Sequence, residues 1–250
     1  MTAVGLFLAL LSGAFVGSVL GFIGAGGAML TVPILLYIFH FTPIHATTAA
    51  LAVVFLAALS GVIPKIRKGE VLIREAFSVW ALGLVTNLGG AVVAKNLPDT
   101  LILTGFALIL TAAGLSMLRA PINDQNEKRI PLITLLGISL VIGAMTGIFG
   151  IGGGFLAIPV LVLGFNTPHN KAAGTSLLII SLNCFTSFLA HHSIWHEINW
   201  AMPLTIAVAA IVVSIFASHH SSKVPTAVLR KSFAYLLFAI ALFTVAKTWI

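Results

Sequence analysis

The chain has 250 residues, of which 59% are hydrophobic and only 8% are charged, and its mean hydropathy is +1.13. Soluble domains carry about 25% charged residues, so this composition excludes an ordinary soluble domain. The formal net charge of +7 does not predict nucleic-acid binding, because the basic residues lie in short segments between hydrophobic runs, where they orient a membrane protein and contact anionic lipid.

Apolar segments follow one another along the whole chain, five in each half. Most have the roughly 20 residues that an α-helix needs to cross a bilayer. The second of each half is shorter and contains a proline, Pro33 or Pro159. These continuous runs exclude the alternating strands of a β-barrel and predict an all-α polytopic membrane protein with 8–10 transmembrane segments. The predicted segments are 3–21, 28–41, 45–64, 76–95, 99–118, 131–148, 154–165, 172–191, 200–218 and 229–249.

The N-terminal apolar run and the single cysteine are consistent with this outline. The N-terminal run has no basic region before it and no cleavage-site pattern, so we predict a retained first span. The single cysteine, Cys184, lies inside an apolar segment. It excludes an intrachain disulfide and is predicted to be a small buried side chain.

A glycine-rich stretch occurs twice, as GFIGAGGAMLTVPIL at 21–35 and as GIFGIGGGFLAIPVL at 147–161. A constant shift of 126 residues superimposes four glycines and the proline. We interpret this as an internal duplication, with a first repeat over 1–118, a hydrophilic linker over 119–130 and a second repeat over 131–250. The superimposed pairs are Gly21 and Gly147, Gly24 and Gly150, Gly26 and Gly152, Gly27 and Gly153, and Pro33 and Pro159.

The distribution of Lys and Arg predicts the topology. Three basic segments are assigned to the cytoplasm, whereas the loop at 191–199 has no Lys or Arg and is assigned outside. Because the basic loop at 65–74 and the loop at 191–199 each follow the third segment of their half, the repeats are predicted to be inverted, with both termini outside. The prediction places Lys95 outside, and it holds whether the first two segments of each repeat span fully or re-enter. The three cytoplasmic segments contain Lys65, Arg67, Lys68 and Arg74; Arg119, Lys128 and Arg129; and Lys223, Arg230 and Lys231.

In inverted repeats the two glycine turns enter from opposite faces and can meet near the midplane. Each turn leads into the N-terminus of a short broken helix, near Ala28 and near Phe155. The unpaired N–H groups and the dipole of such a terminus favour an anion. The alternative is that the glycines serve only close helix packing. The candidate substrate-binding residues of the two turns are Gly24, Gly26, Gly27, Ala28, Gly150, Gly152, Gly153, Gly154 and Phe155.

Polar residues outside the turns are candidates for completing the site. Hydroxyl groups open the third segment of each half and either line a cavity or cap the helix. The buried amides either face a pathway or join helices, and Lys171 is either a fixed positive charge near the pathway or a topology marker. Apart from Asp99, the first residue of the segment 99–118, no acidic residue lies inside a predicted span, so no carboxylate proton relay is expected. These candidates are Thr47, Thr48, Asn87, Lys171, Thr175, Ser176 and Asn183.

Two histidine groups raise the alternative of a membrane metalloenzyme. One comprises His191, His192 and His196, and the other comprises His219 and His220. The topology assigns the first group outside and the second inside, so they are not expected to share a metal. We predict no metal site, no cofactor and no enzymatic activity.

With these motifs, the sequence resembles the sulfite exporter TauE/SafE family, also called the 4-toluene sulfonate uptake permease family. The resemblance depends on GFIGAGGAMLTVP, GIFGIGGGFLAIP and the segment 172–176, AAGTS. It implies a secondary transporter in the bacterial inner membrane that carries sulfite, sulfonates, sulfoacetate or thiosulfate by alternating access. Export is favoured because an anion that leaves a negative interior gains about 2.3 kcal/mol per charge per 100 mV. The coupling ion, proton or sodium, stays open, and an anion channel of the same fold is the main alternative.

Overall fold

The computed structural model describes residues 3–94, 98–119, 132–149, 157–158, 161–162 and 167–249. The regular structure within these ranges is helical throughout, which confirms the all-α prediction. Short 3-10 turns connect some of the helices, at His192–Glu197 and Ser221–Lys223. The helices are α1 (Ala3–Ile23), α2 (Gly27–Pro33, continued by a wider π-helical turn at Ile34–Ile38), α3 (Pro43–Arg67), α4 (Ile73–Ala94), α5 (Asp99–Arg119), α6 (Leu132–Phe149), α7 (His169–Ala190), α8 (Ala201–His220) and α9 (Thr226–Trp249).

Several of these helices have the length and composition of membrane spans. Among the described residues, five are long and apolar enough to cross a bilayer: Ala3–Ile23, Pro43–Arg67, His169–Ala190, Ala201–Lys223 and Ala227–Ala246. The apolar helix at Gly27–Ile38 is shorter, as expected for the second segment of the first half. The total of 8–10 spans stays a prediction, and most of the segment predicted at 154–165 lies outside the described residues.

The loop between α3 and α4 is shorter than predicted. Lys65 and Arg67 lie in the last turn of α3 and Arg74 lies in α4, so the loop comprises only residues 68–72. The physical reason is a Schellman-type end: Gly69 has φ +68°, its N–H donates to the Ile66 carbonyl, and the Glu70 N–H donates to the Lys65 carbonyl at 2.9 Å. Basic side chains in a last helical turn also complement the helix dipole.

Small residues allow two helix pairs to pack closely. Gly13, Gly17 and Gly21 of α1 face the backbone of α8; a Cβ on Gly17 would lie 2.5 Å from the Ala210 carbonyl oxygen. The α4–α6 pair is similar, since a Cβ on Gly83 would lie 2.7 Å from the Ser139 carbonyl oxygen. Packing of this kind replaces the hydrophobic driving force that helices lack in lipid. Under the 126-residue shift α1 corresponds to α6 and α8 to α4, so the predicted duplication would make the two close pairs equivalent.

Helices α3 and α7 are antiparallel and define two ends of the bundle. At one end, Thr48 Oγ1 lies 2.9 Å from His191 Nδ1 and His45 Nε2 lies 3.2 Å from Glu197 Oε2. At the other, the Leu72 N–H donates to Thr175 Oγ1 at 2.9 Å and Lys68 Nζ donates to Ser222 Oγ at 3.0 Å. We call these the Glu197 end and the Ser222 end.

Candidate functional site

The first glycine turn, residues 24–26, is buried inside the bundle. Gly24 has φ +81° and Gly26 has φ +89°, a conformation that side chains rarely adopt. A Cβ on Gly24 would lie 2.5 Å from the carbonyl oxygen and 2.7 Å from the Cα of Ala173 in α7. The turn therefore contacts the backbone of the second half of the chain directly, and at this position packing as well as backbone conformation requires glycine.

The start of α2 is buried and has no side-chain cap. Gly26 is the N-cap residue, and no side chain among the described residues accepts a hydrogen bond from the first turn. The predicted site residues Gly27 and Ala28 follow it, and Ala28 is only 2% exposed. The first N–H groups of a helix have no partner within the helix. Here they lie away from solvent with the positive end of the helix dipole, which is the arrangement predicted for an anion site.

Hydroxyl groups of α7 lie near this turn. Thr175 and Ser176 are fully buried and follow Ala173, the residue that Gly24 contacts. Thr175 Oγ1 donates to the Lys171 carbonyl at 2.7 Å and accepts from the Leu72 N–H. Thr175 therefore holds the 68–72 loop and does not cap its own helix. Lys171, in the first turn of α7, is half-buried at the same end of the bundle.

Thr47 and Thr48, the matching hydroxyls of the first half, lie at the opposite end. Each donates to the carbonyl four residues earlier, Thr47 to Pro43 at 2.9 Å and Thr48 to Ile44 at 2.8 Å. Thr48 lies nineteen positions before the end of α3 at Arg67, which corresponds to about 28 Å at 1.5 Å per residue. In this conformation one small anion cannot contact both hydroxyl pairs, although the sequence groups them together.

The two predicted amides lie between these ends. Helices α4 and α7 are parallel, because Leu72 bonds Thr175 and Trp80 Nε1 donates to Thr186 Oγ1 at 3.0 Å. Asn183 precedes Thr186 by one turn and Asn87 follows Trp80 by two turns, so the amides are separated by about 15 Å along the helix axes.

Asn87 also has an unusual hydrogen-bonding state. It is 3% exposed, and its Nδ2 has no hydrogen-bond partner among the described residues. A buried donor without a partner costs about 1–3 kcal/mol. Such a group is expected where a solute or water passes.

The second glycine turn cannot be compared with the first. Its predicted site residues, Gly150, Gly152, Gly153, Gly154 and Phe155, lie outside the described residues. Their part in a site stays a prediction, as does a meeting of the two turns near the midplane.

The sequence interpretation missed the burial of Lys65. It places this residue in a cytoplasmic loop, but the side chain is 0% exposed. Its Nζ donates to Ser221 Oγ at 2.8 Å and lies 3.5 Å from Glu70 Oε2. The sequence signal that could have indicated this burial is Glu70, the single acidic residue in the basic segment 65–74. The Schellman-type end folds Glu70 back over Lys65.

The two histidine groups lie at opposite ends of α8. His191, His192 and His196 precede this 20-residue helix, and His219 and His220 end it, so the groups are separated by about 30 Å. Within the described ranges, no group of three His, Cys, Asp or Glu side chains could hold a metal ion.

Comparison with known proteins agrees with this architecture. The family model described as Sulfite exporter TauE/SafE matches residues 9–244. A probable membrane transporter protein of Xylella fastidiosa strain Temecula1 is 28% identical over 259 residues, which cover 100% of this chain and 98% of that protein. The probable membrane transporter protein YunE of Bacillus subtilis strain 168 is 26% identical, with 79% of this chain and 82% of that protein covered. Since the family model matches nearly the whole chain, the protein belongs to the sulfite exporter TauE/SafE family and is a membrane transporter.

Proposed function

We propose that the protein is a secondary transporter that exports a small sulfur-containing anion, such as sulfite, a sulfonate, sulfoacetate or thiosulfate, by alternating access. The observation that carries the proposal is the buried, uncapped start of α2 next to the backbone of α7. The family description, which names sulfite, supports the substrate class.

The chemistry of α2 fits an oxyanion better than a cation. Sulfur oxyanions accept several hydrogen bonds, and the first turn of α2 supplies backbone N–H donors with the positive end of the dipole. Hydrogen bonds and charge interactions are stronger at a buried site, where the effective dielectric constant is low. Lys171, on the first turn of α7, contributes positive charge at the same end of the bundle.

The other predicted substrate-binding residues fit a path through the bundle better than a single binding site. Ser176 and Asn183 follow one another along α7 from the Ser222 end, and Asn87 and Thr48 both lie toward the Glu197 end. The unpartnered Nδ2 of Asn87 supplies a donor in that part of the path. An anion that leaves the glycine turn would meet Ser176 and Asn183 before Asn87 and Thr48.

Alternating access requires the two ends of the bundle to open in turn. In the described conformation, contacts join the two halves at both ends: His45 with Glu197 and Thr48 with His191 at one, and Lys68 with Ser222 at the other. The equivalent close pairs α1–α8 and α6–α4 support an inverted duplication, in which one pair moves against the other. Basic residues at the Ser222 end support a cytoplasmic assignment for that end, in the inner membrane, with both chain termini outside.

A ligand-induced thermal shift with matched glycine variants tests the site. Gly26→Ala and Gly69→Ala both place alanine at positive φ (+89° and +68°), but only Gly26 lies in the turn. The purified protein is heated with sulfite, thiosulfate, sulfoacetate, taurine, sulfate or chloride. A ligand at 100 times its Kd stabilises the fold by about 2.7 kcal/mol. We expect one sulfur anion to raise the apparent Tm of the parent and of Gly69→Ala, and to have little effect on Gly26→Ala.

The outcomes separate the alternatives. If no sulfur anion shifts the parent protein, the substrate proposal is wrong. An equal shift in Gly26→Ala and Gly69→Ala removes the glycine turn from the site. Flux in proteoliposomes then distinguishes a transporter from an anion channel, because only a transporter shows saturation with counterflow of labelled substrate.

A further inference from the structure

A groove separate from the proposed path lies on the outer surface of the bundle. It is formed by the last turns of α3 and α8 at the Ser222 end and has a volume of about 530 Å³. Because α3 belongs to the first half of the chain and α8 to the second, any molecule in the groove contacts both halves.

One wall of the groove is apolar and faces outward. Val212 and Phe216 are each 63% exposed and Ile215 is 41% exposed. They lie on α8, which is long and apolar enough to span a membrane. Side chains of this kind on the outside of a spanning helix contact the hydrocarbon of the bilayer.

The rim of the groove is cationic. Arg67 and Lys68 line it together with His219 and His220, and no acidic residue lies among its lining residues. His219 follows Val212 by seven residues, so the basic rim lies about 10 Å along the helix from the apolar wall. That separation is close to the distance from a phospholipid phosphate to the upper acyl chains.

The two cations of the rim are available to an anion to different extents. Lys68 Nζ donates to the His219 carbonyl and to Ser222 Oγ, which fixes the ammonium at the rim. The Arg67 side chain is exposed and makes no hydrogen bond or ion pair with the described residues. A guanidinium with its donors free is suited to bidentate binding of a phosphate.

We propose that this groove binds an anionic phospholipid, with the phosphate at Arg67 and Lys68 and an acyl chain along Val212, Ile215 and Phe216. The charge of the rim requires an anion, and the exposed apolar wall below it requires hydrocarbon attached to that anion. A soluble anion would leave the apolar wall unused. Basic pockets between spanning helices are established headgroup sites in other membrane proteins. The bound lipid would hold α3 against α8 and so join the two halves.

Lipid titration of the delipidated protein in detergent tests the proposal. Phosphatidylglycerol, phosphatidylethanolamine with the same acyl chains, and soluble glycerol phosphate are added separately. The apparent Tm and the lipid retained in native mass spectrometry are measured. We expect phosphatidylglycerol to raise the Tm and stay bound, and the other two to do neither.

Matched variants locate the site. Arg67→Gln is expected to weaken phosphatidylglycerol binding at least tenfold. Arg74→Gln makes the same change at an exposed residue of α4 outside the groove and should leave binding unchanged. Val212→Trp fills the apolar wall without changing the charge and should also weaken binding.

Three results would overturn the lipid site. Equal effects of the two lipids would remove the requirement for an anion. A full effect of glycerol phosphate would identify an anion site without an acyl chain. If Arg67→Gln and Arg74→Gln lose phosphatidylglycerol binding equally while Val212→Trp binds normally, the lipid is held by unspecific surface charge and not by this groove.

Discussion

At the scale of single residues, the buried ammonium of Lys65 is the most consequential feature that hydropathy alone hides. A charged group without water is costly unless hydrogen bonds and an opposite charge replace its hydration. Ser221 Oγ at 2.8 Å and the Glu70 carboxylate at 3.5 Å supply both. The Ser221 contact also joins the end of α3 to the α8–α9 connection, so Lys65 links the two halves of the chain at the Ser222 end.

Replacing Lys65 should therefore destabilise the fold more than replacing its neighbour. Lys65→Met leaves the Glu70 carboxylate, whose side chain is only 16% exposed, without its partner, at a cost of about 1–3 kcal/mol. At about 2–4 °C per kcal/mol for a chain of this size, the apparent Tm should fall by several degrees. Lys68→Met is the matched control, because Lys68 is exposed and exposed polar contacts contribute about 0–1 kcal/mol.

A double-mutant cycle with Glu70→Gln checks the cause. The loss in Lys65→Met/Glu70→Gln should be smaller than the sum of the two single losses, because the neutral amide no longer needs a cation. Strictly additive losses would mean that the two side chains are not coupled.

At the scale of helices, close approach of backbones organises the bundle. Gly13, Gly17 and Gly21 recur every four residues along one face of α1, and each meets the backbone or small side chains of α8. A helix surface that leaves lipid to contact another helix moves from one apolar environment to another, so the hydrophobic effect does not drive the contact. Close packing of this kind instead supplies the van der Waals attraction that holds spanning helices together. The α4–α6 pair repeats the arrangement at Gly83 and Gly143.

A large side chain at the centre of this interface should separate α1 from α8. In Gly17→Leu the new Cβ would lie 2.5 Å from the Ala210 carbonyl oxygen and 2.9 Å from its Cα, and backbone atoms cannot move aside as a side chain can. We expect a cost above the 1–3 kcal/mol typical of overpacking and a large loss of the monodisperse peak in size-exclusion chromatography. Gly137→Leu in α6 is the control, since a Cβ there meets nothing within 4 Å. A normal peak for Gly17→Leu would contradict the described interface.

At the scale of the whole molecule, the antiparallel α3–α7 pair puts corresponding loops at opposite ends. The 68–72 loop follows α3 and lies near Ser222, whereas the turn at His192–Glu197 follows α7 and lies near the start of α3. This is the geometry that two inverted repeats require, and the positive-inside rule then predicts that the Ser222 end is cytoplasmic.

Labelling of single cysteines in intact cells tests that orientation. Ser193 and Ser222 are both exposed, and Ser→Cys changes little in size, so Ser193→Cys and Ser222→Cys form a matched pair in a Cys184→Ala background. A membrane-impermeant maleimide should label Ser193→Cys directly and Ser222→Cys only after permeabilisation. Labelling of both from the outside would contradict the described ends. The reverse pattern would place the basic end outside and remove the argument for export.

The sequence by itself determined the features that are local. Continuous apolar runs located the described helices to within a few residues, because a helix in lipid must satisfy its own backbone and is therefore delimited by its own composition. The glycines at 24 and 26 were recognised as a turn because positive φ restricts the residue type at that position.

Only the tertiary structure decided which of these segments meet. It separates Thr48 from Thr175 by the length of α3, leaves the Nδ2 of Asn87 without a described partner, and buries Lys65 between Glu70 and Ser221. Each of these facts depends on the direction and neighbours of a helix. An apolar surface that must face either lipid or protein has nearly the same composition in both cases, so hydropathy cannot distinguish the lipid-facing side of α8 from the side that packs against α1.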